Sequence, residues 1–209
     1  MKMHTLADVN RGLNDLRNSL KNDVLPVLDK TAGVEEGGYF IVTREIFSYT
    51  GFLGLLYYGP ENPPNPMFLS RTFMAERYIT DVMGQVDNVY SEYGELIYSM
   101  YRHGTVHVYR PNMLESTVNH RKISFMCYKG PRKGILERKE VGEIAVTHCS
   151  PVQIKSDEDW LPLSINVLYD DLIKSIDIYE EMVKNHVLLE NYSNAIDALS
   201  QPTPVGLSW

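Results

Sequence analysis

Between Val82 and Tyr101, apolar and aromatic residues recur at Val86, Val89, Tyr90, Tyr93, Ile97, Met100 and Tyr101, and this spacing constrains the fold more than any other feature of the chain. Steps of three and four draw one stripe along an α-helix, so the segment buries one side against a core. The same period recurs over residues 5–30, where Leu6, Val9, Leu13, Leu16, Leu20, Val24 and Val27 or Leu28 are separated by charges. Thr5 or Asp8 opens that helix, and Pro26, which has no N–H to donate, kinks or ends it. Residues 33–38, GVEEGG, read as a turn, and the apolar run that follows predicts a buried helix from Tyr39 to Tyr58. The prolines of residues 59–66 make a surface connector, since each pushes its predecessor into an extended conformation. A third helix is expected from Phe68 to Tyr101, broken near Gly84 or Gly94, and a fourth from Asn166 to Leu189, with a short last helix over Asn191–Leu199.

The composition changes after Pro111. Residues 122–128 (KISFMCY) and 143–149 (EIAVTHC) alternate as strands do, with the Gly/Pro-rich stretch 130–134 between them. The expectation is a mainly α helical bundle over residues 1–200 carrying a small antiparallel sheet or hairpin as an insertion at 120–155. Residues 201–209 form a loosely ordered tail unless Trp209 docks.

A chain of 209 residues buries a full core and suits one domain with an insertion. The formal charge of −7 argues against a surface coated by nucleic acid and leaves only a local patch to meet one. Two cysteines, Cys127 and Cys149, and no signal-peptide pattern after Met1 point to a reducing cytoplasm and free thiols, with a cross-strand disulfide as the alternative. The longest apolar run, Ile46–Tyr58, is shorter than the roughly 20 residues a bilayer requires, so no membrane partner is expected.

At the end of the third helix stand Arg102, His103, Gly104, Thr105, Val106 and His107. Arginine, a polar residue, a three-residue spacer and histidine at the end of a bundle helix resembles the motif of the HEPN superfamily, and the likeness covers the helical half of the chain. What the resemblance implies is metal-independent cleavage of RNA in a symmetric homodimer, as in toxins and antiviral defence effectors, with a protein antidote or effector as a further partner. The chemistry is sound on its own terms. Histidine is the side chain whose ordinary pKa suits proton transfer near neutrality, which assigns His107, and a guanidinium presents a permanently charged fork of donors to phosphoryl oxygens, which assigns Arg102. His103 orients the pair or meets phosphate, and Tyr101 and Tyr109 offer faces on which bases stack. Arg121, Lys122, Lys129, Arg132 and Lys133 make the segment 121–140 locally basic and extend the candidate RNA surface, although such a run also serves to protect a strand edge.

The competing reading is a non-catalytic bundle that binds other proteins, in which Arg102 pairs with Glu92 or Glu95 and the imidazoles satisfy helix-end carbonyls. A metal shared by His103 and His107, with His120 or an acid, is disfavoured because Gly104 stands where a zinc-protease helix carries its glutamate. No cofactor and no metal are therefore called for. Asp170–Asp171 and Glu180–Glu181 read as the solvated face of their helix.

Overall fold

The computed structural model describes residues 3–31, 37–59, 71–103, 105, 110–139 and 141–201. Helix α1 (Leu6–Asp23) opens on a capping box, in which the Thr5 hydroxyl accepts from the Asp8 N–H and the Asp8 carboxylate accepts from the Thr5 N–H. Val9, Leu13 and Leu20 form its buried stripe. It ends at Val24 and α2 (Leu25–Lys30) starts at once, with Pro26 in the first turn, where a missing N–H costs nothing.

Helix α3 (Tyr39–Tyr58) begins and ends where the sequence places it, between Gly38 and Gly59 at positive φ. It is apolar around nearly its whole circumference and packs against α4 (Arg71–Asp81) through Gly54, where an added Cβ would lie 2.3 Å from the Met74 carbonyl oxygen. The helix expected over 68–101 is broken at Gly84, inside a short 3-10 turn (Met83–Gln85), while Gly94 stays within α5 (Asn88–Ile97). Asp87 caps α5 by accepting from the Val89 N–H at 3.0 Å. A π-helical turn, Tyr98–His103, continues α5. Helix α6 (Ile165–Met182) and helix α7 (His186–Leu199) follow the sheet; the Asn185 side chain caps α7 and divides the helix expected to run unbroken to Leu189.

The β-region corrects one expectation. The sheet is mixed rather than antiparallel, in the order β1 (Leu114–Glu115), β2 (Lys122–Tyr128), β6 (Glu158–Ser164), β5 (Val152–Gln153), and β2 runs parallel to β6 from Lys122↔Glu158 to Tyr128↔Ser164. The segment expected to pair with β2, now β4 (Gly142–Thr147), forms instead a hairpin with β3 (Lys133–Arg138). The hairpin closes after Arg138, which pairs with Gly142, and Gly142 takes the positive φ that helps the chain reverse there. The β3–β4 hairpin becomes part of the crossover that a parallel β2–β6 pair requires. The alternation of β2 then serves two layers. Ile123, Phe125 and Cys127 pack on the helical core, whereas Met126 and Tyr128 form a smaller cluster with Val146, Leu136, Ile144 and Trp160 under the hairpin. Both cysteines are free thiols. Among the described residues no helix is long and apolar enough to cross a membrane. The 33–36 part of the expected turn, most of the 59–66 connector, and tail residues 202–209 lie outside the described residues.

Candidate functional site

Arg102 sits on the π-helical turn, and three bonds hold that turn in place. The Tyr101 hydroxyl donates to the Leu161 carbonyl of β6 at 2.6 Å, the Thr105 hydroxyl donates to the Tyr101 carbonyl at 2.6 Å, and the returning chain donates from the Asn112 N–H to the Met100 carbonyl at 2.9 Å. A widened turn of this kind displaces the side chains that follow it from the helix's own stripe, and such turns recur at functional sites. Tyr98, Met100 and Tyr101 remain buried, while Arg102 emerges half-buried.

Arg102 lines a cleft of about 270 Å³ together with Phe47, Gly51, Phe52 and Leu55 of α3, Tyr98 of the π turn and Leu199 of α7. The rings of Phe47 and Tyr98 meet edge to face, 6.0 Å apart. Arg102 hydrogen-bonds the Tyr98 hydroxyl; burial raises that hydroxyl's pKa and the guanidinium opposes the rise. The Arg102 Nε is buried with no hydrogen-bond partner, and among the described residues no carboxylate forms an ion pair with Arg102. The pairing with Glu92 or Glu95 envisaged for a structural arginine is therefore not made; both acids are exposed. Glu76 of α4 lies close enough to influence Tyr98, and its own carboxyl is pushed up by burial and then by Glu95. His103 closes the π turn but its side chain lies outside the described residues, as do His107 and Tyr109 entirely.

Three of the basic residues of 121–140 are engaged by partners within the chain. Arg121 grips Asp159 through Nε and Nη2, at 3.2 and 2.5 Å, and donates to the Ser156 carbonyl. Lys129 donates to the Thr31 carbonyl at 2.5 Å and lies 5.2 Å from the centre of the Tyr39 ring. Arg132 reaches Asp87 and Asp171, each at 2.6 Å. Lys122 and Lys133 are exposed, at the starts of β2 and β3.

Arg132 belongs to a buried polar network that the sequence reading missed. The Ser164 N–H donates to His148 Nδ1 at 3.0 Å, which leaves the ring proton on Nε2, facing the Tyr90 hydroxyl at 2.8 Å. Tyr90 in turn donates to Asp171 Oδ2 at 2.9 Å, where Arg132 also donates. Asp171 is fully buried, so it is not part of the solvated face assigned to it, whereas its neighbour Asp170 is exposed. The signal was present: Asp171 falls on the apolar stripe of Leu168, Leu172, Ser175, Ile176 and Tyr179. Burial, and next the Arg132 charge, push the His148 pKa down to about 3, and burial with the nearby Asp171 carboxylate pushes the Cys149 thiol far up. Cys149 Sγ lies 3.2 Å from His148 Nε2, but a protonated thiol beside a neutral imidazole lacks the thiolate a nucleophile needs. The network acts as a clamp joining the hairpin to the start of α5 and to α6.

Among the described residues no group of three or more histidine, cysteine or acidic side chains is placed to hold a metal ion; His120 is exposed, with Nδ1 3.3 Å from Glu115. Compared with protein-family models, with curated proteins and with solved structures, the chain matches none.

Proposed function

We propose that the chain is a metal-independent endoribonuclease of the HEPN type, an effector of the toxin or antiviral-defence kind, with Arg102 and His107 as its catalytic residues and two chains lining one cleft. The observation that carries this reading is Arg102 itself: a guanidinium set on a π turn, lining a cleft and unpaired with any described carboxylate. A guanidinium placed in this way can serve a phosphoryl group, whose non-bridging oxygens gain charge as the reaction proceeds. In the proposed step the ribose 2′-oxygen attacks the adjacent phosphorus while His107 takes the 2′-hydroxyl proton. The bond from phosphorus to the 5′-oxygen breaks, and that oxygen leaves with a proton from the imidazolium so formed or from its counterpart in the second chain. The products are a 2′,3′-cyclic phosphate and a 5′-hydroxyl. His103 orients the pair, Tyr109 stacks a base, and exposed Lys122 and Lys133 meet the backbone, while Arg121, Lys129 and Arg132 brace the chain instead.

The test is digestion of total RNA by the intact protein in excess chelator, with the new ends identified chemically. Cyclic phosphate ends resistant to chelator are expected. A folded protein that leaves RNA intact sinks the nuclease reading and favours the second one, a non-catalytic bundle that binds a protein. That alternative draws on the apolar walls of the cleft and on the internal use of three of the basic side chains.

A further inference from the structure

We propose that the outer edge of β3 pairs antiparallel with the same edge of a second copy of this chain, about a two-fold axis at Ile135. The contact does not rest on the ribonuclease reading, with which it shares only Lys133. The cleft beside Arg102 is lined by α3, the π turn and α7, and no residue of β3 enters it. A chain that used both faces would assemble beyond a dimer.

The edge is open. Among the described residues β3 pairs with β4 alone. Of the other sheet edges, β1 and β5 are two residues long, and β4 is met on its outer side by Ser150, which bridges to Thr147. The ladder fixes which groups of β3 are free. The His148 N–H donates to the Arg132 carbonyl at 2.7 Å, and in an antiparallel pair successive residues turn their backbone groups to opposite sides. Gly134, Leu136 and Arg138 therefore turn toward β4, whereas Lys133, Ile135 and Glu137 present N–H and C=O to the free edge. The Glu137 carbonyl accepts from the Arg138 guanidinium at 3.1 Å, and a carbonyl has room for a second donor.

The side chains select the partner. The same three residues are exposed, Ile135 at 70%, and β4 matches them poorly. Ile135 lies opposite Ala145, Lys133 opposite Thr147, and Glu137 opposite Glu143, a like charge. A second β3 turned about Ile135 supplies what β4 does not. Residues 133–137 read Lys-Gly-Ile-Leu-Glu, so Lys133 comes opposite the partner's Glu137, Glu137 opposite the partner's Lys133, and Ile135 meets its own counterpart. Each of these pairs joins residues whose backbone groups face the edge, so each exchanges both hydrogen bonds. Sliding the copies out of this register sets Ile135 against a charge. A foreign strand would meet the backbone equally well; the order of the charges is what favours a second copy.

The experiment is disulfide crosslinking of the full chain carrying Ile135→Cys, under mild oxidation by glutathione disulfide. Facing Cα atoms at the axis would lie about 5.5 Å apart, within disulfide reach. Ile135→Cys is expected to crosslink on the order of tenfold faster than Val118→Cys, which places a thiol at a position 90% exposed and outside β3. The parent, whose own Cys149 is buried and Cys127 half-buried, sets the background. Adding either Lys133→Glu or Glu137→Lys puts like charges opposite each other at both ends of the pairing and should slow the crosslink roughly tenfold. Mixing these two charge variants restores opposite charges, so mixed dimers, resolved by mass spectrometry, should outnumber both pure ones. All the substitutions are at exposed positions, and thermal melts check that the fold is kept. Equal rates for Ile135→Cys and Val118→Cys overturn the contact. So do charge variants that crosslink undiminished, or a mixture without an excess of mixed dimers, and either result leaves the edge to a foreign strand. RNA cleavage, present or absent, does not enter this readout, so the two proposals fail separately.

Discussion

Arg121 and Arg132 lie in the same basic run, and burial separates their roles. Arg132 neutralises Asp171, which has no exposure, whereas Arg121 and Asp159 both retain solvent. Arg132→Ala leaves Asp171 buried without its main cation and is expected to cost about 2–4 kcal/mol in urea unfolding, the lower part of the usual penalty because Arg132 is itself partly exposed. Arg121→Ala is expected to leave the unfolding midpoint almost unchanged. Equal losses in the two variants would contradict the clamp. His148 gives the clamp a pH signature. Its folded pKa, about 3, lies below the ordinary value near 6.5, so between these limits the unfolded chain binds the extra proton. Its contribution to stability is complete above about pH 6.5 and falls as pH drops toward 3, with a slope approaching about 1.4 kcal/mol per pH unit. His148→Gln, which cannot take up that proton, should flatten this limb in unfolding measurements made between pH 4 and 7; an unchanged slope would mean that His148 is not held neutral.

At the scale of elements, α3 carries two glycines three residues apart with opposite expectations. Gly54→Ala drives a methyl group into the Met74 carbonyl and should destabilise by about 1–3 kcal/mol, whereas Gly51→Ala meets open space and should stabilise by about 0.5–1 kcal/mol through helix propensity. Thermal melts of the two variants moving in the same direction would refute this account of the α3–α4 contact. The elements legible in the sequence are those bounded by backbone chemistry: α3 between two glycines, α1 ending where Pro26 begins α2, the break at Gly84, and the alternating strand β2. Others carried no local signal. Strand β6 holds Pro162 and opens on two acids, and its parallel pairing with β2 is a long-range choice made by the crossover. The π turn leaves no mark in the residue pattern, so the stripe through Met100 and Tyr101 reads as unbroken helix while the widened turn re-aims Arg102. Two adjacent acids suggest solvent, yet only Asp170 leaves the apolar stripe on which Asp171 falls.

Over the whole molecule, the helices and one face of the mixed sheet share a continuous core, and the hairpin covers the other face of β2, held by Arg132 and His148. That arrangement uses much of the basic segment for bracing and leaves an acidic chain, net −7, with Arg102 lining an apolar cleft as its most distinctive charged group. We propose that Arg102 and His107 together cut RNA. This is tested most directly by the cleavage rate of a single-stranded RNA in excess chelator, measured for the parent, Arg102→Ala and His107→Ala at equal folded concentration. Each substitution is expected to lower the rate by on the order of 10²–10⁴ with the fold intact, as loss of an acid–base group or of an oxyanion donor does. Cleavage at the parent rate by either folded variant would contradict it.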